Sequence, residues 1–324
     1  MLLTPQQARA VYEHAATNRY AVLAVNADSP AAIVDCLIAA KACAAPIIVE
    51  TSLWQLTGHS FGAGDPLLGM DRLINELHTL AASERFREVP VIYHTDHIKG
   101  PATVGILRHA MHRKASSISL DSSAMSAQEN IATMIHLGEI AMQEELSVTL
   151  EMEAGVDDGV TPLEETRTLF GEVEQRMPGY LALWAPGVGT KHGLGNDLDG
   201  FSPAAIRAHA ELASELAGRP IGIALHGSSG LTLDQLAAGV AAGVVKVNWS
   251  SESLLIRSTA AAAYFDQNRA RLDPSHSDFK ATAMDNGLQE SISAAYVPKV
   301  ISRIESLGGR GCAVDFRKII EPCR

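Results

Sequence analysis

The chain has 324 residues, 47% hydrophobic and 19% charged, the balance of a soluble globular enzyme long enough for two domains or one large α/β barrel. A formal net charge of −11 with no Lys/Arg cluster excludes a nucleic-acid surface of the usual basic kind, while a locally positive anion site remains compatible with it. Cys36, Cys43, Cys312 and Cys323 are scattered and form no C-x-x-C pair, which predicts buried or indifferent thiols in a reducing compartment.

The first segment, MLLTPQQARAVYEHAATNRY, reads as an amphipathic helix with Thr4 as cap and Pro5 at its first position. It lacks the apolar core of a signal peptide, and no stretch is long enough to span a membrane, so a cytoplasmic protein is expected. Short β-branched runs then alternate with Ala-rich segments of helical period. The runs are 20–25, 46–50, 89–94, 116–120, 147–152, 180–186, 220–225 and 244–248. Helical patterns follow in turn from "PAAIVDCLIAAKACA", near 69–85, 101–113, 126–145, 162–176, 203–217, 232–242 and from Ser251. Eight βα units predict a closed (β/α)₈ TIM barrel, with an open doubly wound sheet as the alternative. The first turn, "NADSP", lacks the glycines that usually announce the open sheet. The expected organisation is one barrel domain over 1–324, with 264–324 as a C-terminal helical extension that closes the barrel or contacts a partner.

Barrel active sites lie at the C-terminal strand ends. Polar residues at those positions are Asn26, Ser52, the run His94-Thr95-Asp96-His97, Asp121, Glu151 and Glu153, Lys191-His192-Gly193, His226-Gly227-Ser228-Ser229-Gly230 and Asn248. His97, His192 and His226 thus arrive from three different strand ends, and three imidazoles with an open fourth position make a catalytic zinc site. His94 should point the other way from its neighbours, with a purely structural role as open as a functional one. His78, His109, His112 and His136 fall in helical patterns and are expected to be solvated or packing residues. The glycine-rich turns "GTKHGLG" and "LHGSSG" let backbone N–H groups approach a ligand, which suggests a phosphate or polyol beside the metal.

With these motifs placed, the sequence resembles the class II, zinc-dependent fructose/tagatose-bisphosphate aldolases, of which it would be a divergent member. "YHTDHI", "SISLDSSAMSAQENI", "VTLEMEAG", "GTKHGLG", "LHGSSG", "GVVKVNWSSE" and "YAVLAVNADS" carry the resemblance, in family order, from about residue 4 to 257. It implies that His97, His192 and His226 bind Zn²⁺ or another divalent metal, with Asp121 and Glu153 serving an alternative metal position and room for a monovalent cation. Asp96 would shuttle a proton at the aldehyde oxygen, and Asn248 would hold the enediolate. Gly193, Gly227, Ser229, Ser250 and Ser251 would cradle a dihydroxyacetone-type phosphate, with Asn26 and Ser52 nearby. The loop 154–166 would supply the base acting on carbon 3 from Asp157, Asp158, Glu164 or Glu165, with Asp158 standing in for the family's longer glutamate-bearing segment. A dimer or tetramer is implied in the same way.

The chemistry is coherent, because breaking a carbon–carbon bond next to a carbonyl leaves an enolate that a metal can stabilise. The departures from the family are informative. Ser228 replaces a glycine, Ser250 and Ser251 stand at the strand-8 phosphate positions, and Asp273-Pro274-Ser275 replaces the family's Asp-Pro-Arg. Loss of that guanidinium removes a bidentate phosphate partner. The expected substrate is therefore a ketose or ketose phosphate other than fructose 1,6-bisphosphate, with no nucleic-acid or membrane partner. A metal-dependent sugar epimerase on the same scaffold, a non-catalytic partner subunit and a zinc hydrolase are the alternatives.

Overall fold

A computed structural model describes residues 1–155, 157, 159–195 and 198–320. Eight parallel strands close into a barrel in chain order: β1 (Val22–Asn26), β2 (Ile47–Thr51), β3 (Val91–Thr95), β4 (Ser117–Ile118), β5 (Leu150–Glu153), β6 (Leu181–Ala185), β7 (Gly222–Leu225) and β8 (Val244–Trp249), with β8 paired back to β1. All eight expected runs become strands, and a helix follows each, so the fold is the (β/α)₈ barrel. β4 is shorter than its run of β-branched and small residues suggests. It keeps only the pairs His94↔Ser117, Thr95↔Ile118 and Ile118↔Leu150 before the chain turns out toward the site.

Local chemistry starts most helices where the sequence puts caps. Thr4 and Gln7 form a reciprocal capping box ahead of Pro5–Asn18, and Ser126 with Glu129 and Thr232 with Gln235 do the same for Ala127–Gln143 and Leu233–Ala242. Ser29-Pro30, Asp65-Pro66 and Ser202-Pro203 each pair a side-chain cap with proline at the first helical position. Two elements were not legible in the pattern. A five-residue helix, Leu53–Thr57, follows β2, and the segment near 162–176 contains a π-helical turn at Thr166–Phe170.

Two apolar layers hold the barrel. The outer one packs Val25, Val49, Val91, Tyr93, Met152, Trp184 and Val247 against the surrounding helices. The inner one packs Val22, Ala24, Ile48, Ile92 and Leu183 against Ala8, Val11, Tyr12 and Ala15 of the first helix, which plugs the N-terminal end. The other end is left to polar side chains. Residue 264 lies within the helix Ser251–Asn268, so the backbone has no break there. The later helix Asp285–Ser306 returns to the barrel through Tyr296, whose hydroxyl is 2.6 Å from Ser253 Oγ and whose ring stacks on Trp249.

Candidate active site

Side chains on a strand alternate between faces, so the inward face of each strand delivers every second residue to the barrel axis. At the C-terminal ends this rule produces two polar layers. The deeper one holds Glu50, His94, Ser117, Glu151 and Lys246, all buried, and the one above holds Asn26, Asp96, Glu153, His226 and Asn248. His94 therefore shares its face with Asp96 rather than with Tyr93 and Thr95. Its Nδ1 lies 2.7 Å from Ser117 Oγ and its Nε2 3.6 Å from Glu151.

His97 would point outward by the same rule, but its backbone adopts the left-handed conformation, φ 51°. That turn brings its ring back beside Asp96, with His97 Nδ1 2.8 Å from Asp96 Oδ1. His192 arrives on the loop after β6 and His226 directly after β7. The ring centroids are 4.7 Å apart for His97 and His192, 5.4 Å for His97 and His226, and 5.9 Å for His192 and His226. One ligand nitrogen from each ring lies within 4.8 Å of the others.

A carboxylate engages one nitrogen of every ring. Asp96 takes His97 Nδ1, and Asp157 takes both Nδ1 (3.0 Å) and the backbone N–H (2.8 Å) of His192. Glu151 takes Nε2 of His226 at 2.9 Å. This orients the rings so that His97 Nε2, His192 Nε2 and His226 Nδ1 are the nitrogens left for an ion once deprotonated, the arrangement metal-binding histidines use. His226 Nδ1 is buried with no hydrogen-bond partner among the described residues. His97 Nε2 and His192 Nε2 face each other at 3.1 Å. Tetrahedral zinc with Zn–N of about 2.0–2.1 Å separates its nitrogens by about 3.3–3.4 Å, so these residues fit such an ion.

Glu153 lies beside this set, its Oε1 3.9 Å from His226 Nε2 and unpartnered, and Asp96, His97, Glu153 and His226 form a second cluster of metal-ligating type. Burial, with Glu151, Asp96 and Asp121 nearby and only His97 opposing, pushes the Glu153 carboxyl well above its usual range. A cation would relieve that cost. Asp121 lines the same cavity but is turned elsewhere, to Lys99 at 3.0 Å and to the N–H and hydroxyl of Ser123, and it belongs to neither cluster. The expectation for Asp158 falls outside the described residues. Of its companions, Asp157 is spent on His192.

Asp96 is the most engaged carboxylate. Besides His97 it accepts from Asn26 Nδ2 at 2.9 Å and from Asn248 Nδ2 at 3.1 Å. Burial pushes its pKa up, but His97, with smaller help from His226 and Lys246, outweighs this and holds it well below the usual carboxylate range. Burial works to lower His97, and Asp96 overrides it, raising the ring to about 10. Beneath them Lys246 sits 2.9 Å from Glu151 and 3.4 Å from Glu50. Burial penalises each member; Glu50 is pushed up to about 8 and His94 down to about 3, while the Lys246 ammonium holds Glu151 low. Glu50 and Lys246 escape a search for polar residues at strand tips because they sit one layer lower. The pairs Glu50-x-Ser52, Glu151-x-Glu153 and Lys246-x-Asn248 carried the signal as period-two spacing.

These groups open into a cavity of about 800 Å³. Asn26, Ser52, Gly193, Gly227, Ser229, Asn248, Ser250 and Ser251 all line it. Ser52 also caps the helix Leu53–Thr57. Ser250 precedes the 18-residue helix Ser251–Asn268 without a side-chain cap bond of its own, and Ser229 Oγ instead accepts from the Glu252 N–H at 3.2 Å, so the helix N-terminus stands at the cavity wall, where an anion is favoured. Gly227, at φ 64°, passes so close to Lys191 that a Cβ would sit 2.8 Å from its carbonyl. Asp273, Pro274 and Ser275 do not line the cavity, nor do Arg269, Arg271 and Lys280.

A parallel barrel with a carboxylate-braced histidine triad at its C-terminal mouth is an architecture suited to a metal-dependent enzyme. The model of the class II fructose-bisphosphate aldolases matches residues 6–306, and the chain belongs to that family of metal-dependent carbon–carbon lyases. It is 27% identical over 273 residues to the fructose-bisphosphate aldolase of Saccharomyces cerevisiae, covering 75% of each chain. It is also 27% identical over 267 residues to that of Streptococcus pyogenes serotype M6, covering 79% of this chain and 83% of the relative. Among solved structures, the fructose-bisphosphate aldolase from Campylobacter jejuni superposes with a TM-score of 0.81 at 23% identity, covering 95% and 96%. The YdjI aldolase from Escherichia coli K12 does so at 0.70 and 19%, covering 97% and 100%.

Proposed function

We propose that this enzyme is a zinc-dependent aldolase that reversibly cleaves a ketose 1-phosphate to a dihydroxyacetone-phosphate-type ketone and an aldehyde, with a substrate other than fructose 1,6-bisphosphate. The observation that carries the reading is the triad of His97, His192 and His226, each ring oriented by its own carboxylate, standing against Asp96. His97, His192 and His226 would hold the ion, with Glu153 as an alternative ligand; Asp121, facing Lys99, is a weaker candidate. When bound, a divalent cation withdraws charge from the substrate's carbonyl and adjacent hydroxyl oxygens.

The protein's own groups do the rest. Asp96, held ionised by Asn26, His97 and Asn248, accepts the proton of the C4 hydroxyl as the C3–C4 bond breaks, and returns it to the aldehyde oxygen in the reverse direction. Asn248 uses one Nδ2 hydrogen on Asp96, and the second meets the oxygen of the enediolate left behind. A carboxyl of the 154–166 loop, Asp158 in this reading, protonates carbon 3. Gly193, Gly227, Ser229, Ser250 and Ser251, with the helix N-terminus, hold the phosphate. Asp273-Pro274-Ser275, in place of the family's Asp-Pro-Arg, supports a substrate without the second phosphate.

The proposal also covers one barrel domain over 1–324 with 264–324 as its helical extension, in a cytoplasmic homo-oligomer, dimer or tetramer. The free Cys36, Cys43 and Cys312 suit a reducing compartment, and among the described residues no helix is long and apolar enough to cross a membrane. The test combines metal analysis with a screen of ketose phosphates for aldehyde release. One zinc per chain and release from a ketose 1-phosphate are expected. Full activity in metal-stripped protein, or interconversion of ketoses with no fragment released, would refute it.

A further inference from the structure

The chain has three tryptophans. Trp184 and Trp249 are fully buried, whereas Trp54 is 77% exposed and stands in the wall of the active-site cavity. It rides on the short helix Leu53–Thr57, whose first turn is locked by the Ser52–Gln55 capping box. The strand order places this helix, after β2, across the barrel mouth from the β6 and β7 loops that carry Gly193 and Gly227. An indole left in water at a cavity wall costs apolar surface that a ligand can cover.

Charge narrows what that ligand is. Among the described residues lining the cavity, Lys99 is the only lysine or arginine, and it is tied to Asp121 at 3.0 Å. A second phosphate at this end would meet no free positive partner. Leu53 and Trp54 offer apolar surface, while the Gln55 side chain gives its oxygen to the Ser52 cap and keeps its amide N–H groups for another acceptor. An apolar face beside amide donors suits a hydroxylated carbon chain, whose C–H edge packs on a ring while its hydroxyls hydrogen-bond.

We infer that Trp54 is a specificity-determining platform on which the aldehyde-forming end of the ketose 1-phosphate stacks, and that this end is an uncharged polyol. The inference rests on the ketose 1-phosphate reading above and adds to it the identity of the distal subsite. Trp54 would therefore discriminate substrates by the length and charge of the carbons released as aldehyde.

The probe is a hexitol 1-phosphate, which lacks the ketone and cannot be cleaved. Its binding to the zinc-loaded enzyme should change the emission of the exposed tryptophan, and that change should vanish in Trp54→Phe, because the two remaining tryptophans are buried. In parallel, kcat/KM for D-ketohexose 1-phosphates relative to a ketopentose 1-phosphate should fall roughly tenfold in Trp54→Ala and recover in part in Trp54→Phe. Calorimetrically detected binding of the hexitol phosphate with no emission change would overturn the inference and leave the functional reading standing. So would an unaltered ratio accompanied by a changed oligomeric state, which would place Trp54 in a subunit contact. Failure of the wild-type enzyme to exchange the C3 proton of dihydroxyacetone phosphate would instead bring down the functional reading, and the inference with it.

Discussion

Each imidazole of the triad depends on a carboxylate that sequence spacing assigned to another task or to none. Asp96 is next to His97 in sequence and in space, so its two roles cannot be separated by substitution. Asp96→Ala removes the proposed proton acceptor and also frees His97 Nδ1. The expected outcome is a loss of about 10²–10⁴ in kcat together with a 10–100-fold weaker metal affinity, read by steady-state kinetics and chelator competition. Glu151 touches His226, His94 and Lys246 but not Asp96 or His97, so Glu151→Gln separates the effects. Metal affinity should fall about 10–100-fold, because the amide can present its NH₂ group to His226 Nε2 and unsettle the tautomer. If affinity were unchanged, the bracing role of Glu151 would be wrong. Lys246→Met is a stability test. It leaves Glu50 and Glu151 buried without their cation, and chemical denaturation should register a loss of about 3–5 kcal/mol.

At the scale of elements, strand periodicity and loop geometry divide the work. The inward faces of β3, β5 and β8 stack His94 under Asp96, Glu151 under Glu153 and Lys246 under Asn248. The strand ends therefore supply the braces Asp96 and Glu151, while the loop after β5 supplies the third, Asp157, and the β6 and β7 connections supply two of the three rings of the triad. Those connections are held together at Gly227, whose left-handed backbone and contact with Lys191 admit no side chain. Gly227→Ala should push the His192 loop away from His226. The expected result is reduced metal retention with an intact far-ultraviolet circular dichroism spectrum, since neither strand nor helix is altered. Retention equal to wild type would show that the two loops move independently.

Across the whole molecule, in the proposed function, metal and protons would compete for one site built from three strand ends. Asp96 raises His97 from its ordinary value to about 10 in the metal-free protein, so the ring carries a proton at neutral pH that the ion must displace. Metal affinity should accordingly rise with pH across the neutral range, with proton release measurable by calorimetry in buffers of different ionisation enthalpy. For the metal-free protein the sign is opposite. The stability contributed by protonated His97 is fully present below about pH 6.5 and is lost as pH rises through about 10. Stripping the metal at neutral pH should lower Tm by several degrees, on the order of 5 °C, without unfolding the barrel, whose two apolar layers do not touch the ion.

Read alone, the sequence determined the barrel and the residue types at its mouth. Alternation of β-branched runs with capped helical segments is a local property, and "YHTDHI", "GTKHGLG" and "LHGSSG" keep their order however the chain closes. It also placed His97, His192 and His226 together, because strand ends of a closed parallel sheet converge on one axis. The tertiary structure decided what those residues face. The commitment of Asp157 to His192 and of Asp121 to Lys99, and the buried Lys246 between Glu50 and Glu151, depend on contacts between segments 20 to more than 150 residues apart, and neither the left-handed turn at His97 nor the exposure of Trp54 is written in a local pattern. Such contacts are set by strand register and closure, and no window along the chain contains both partners.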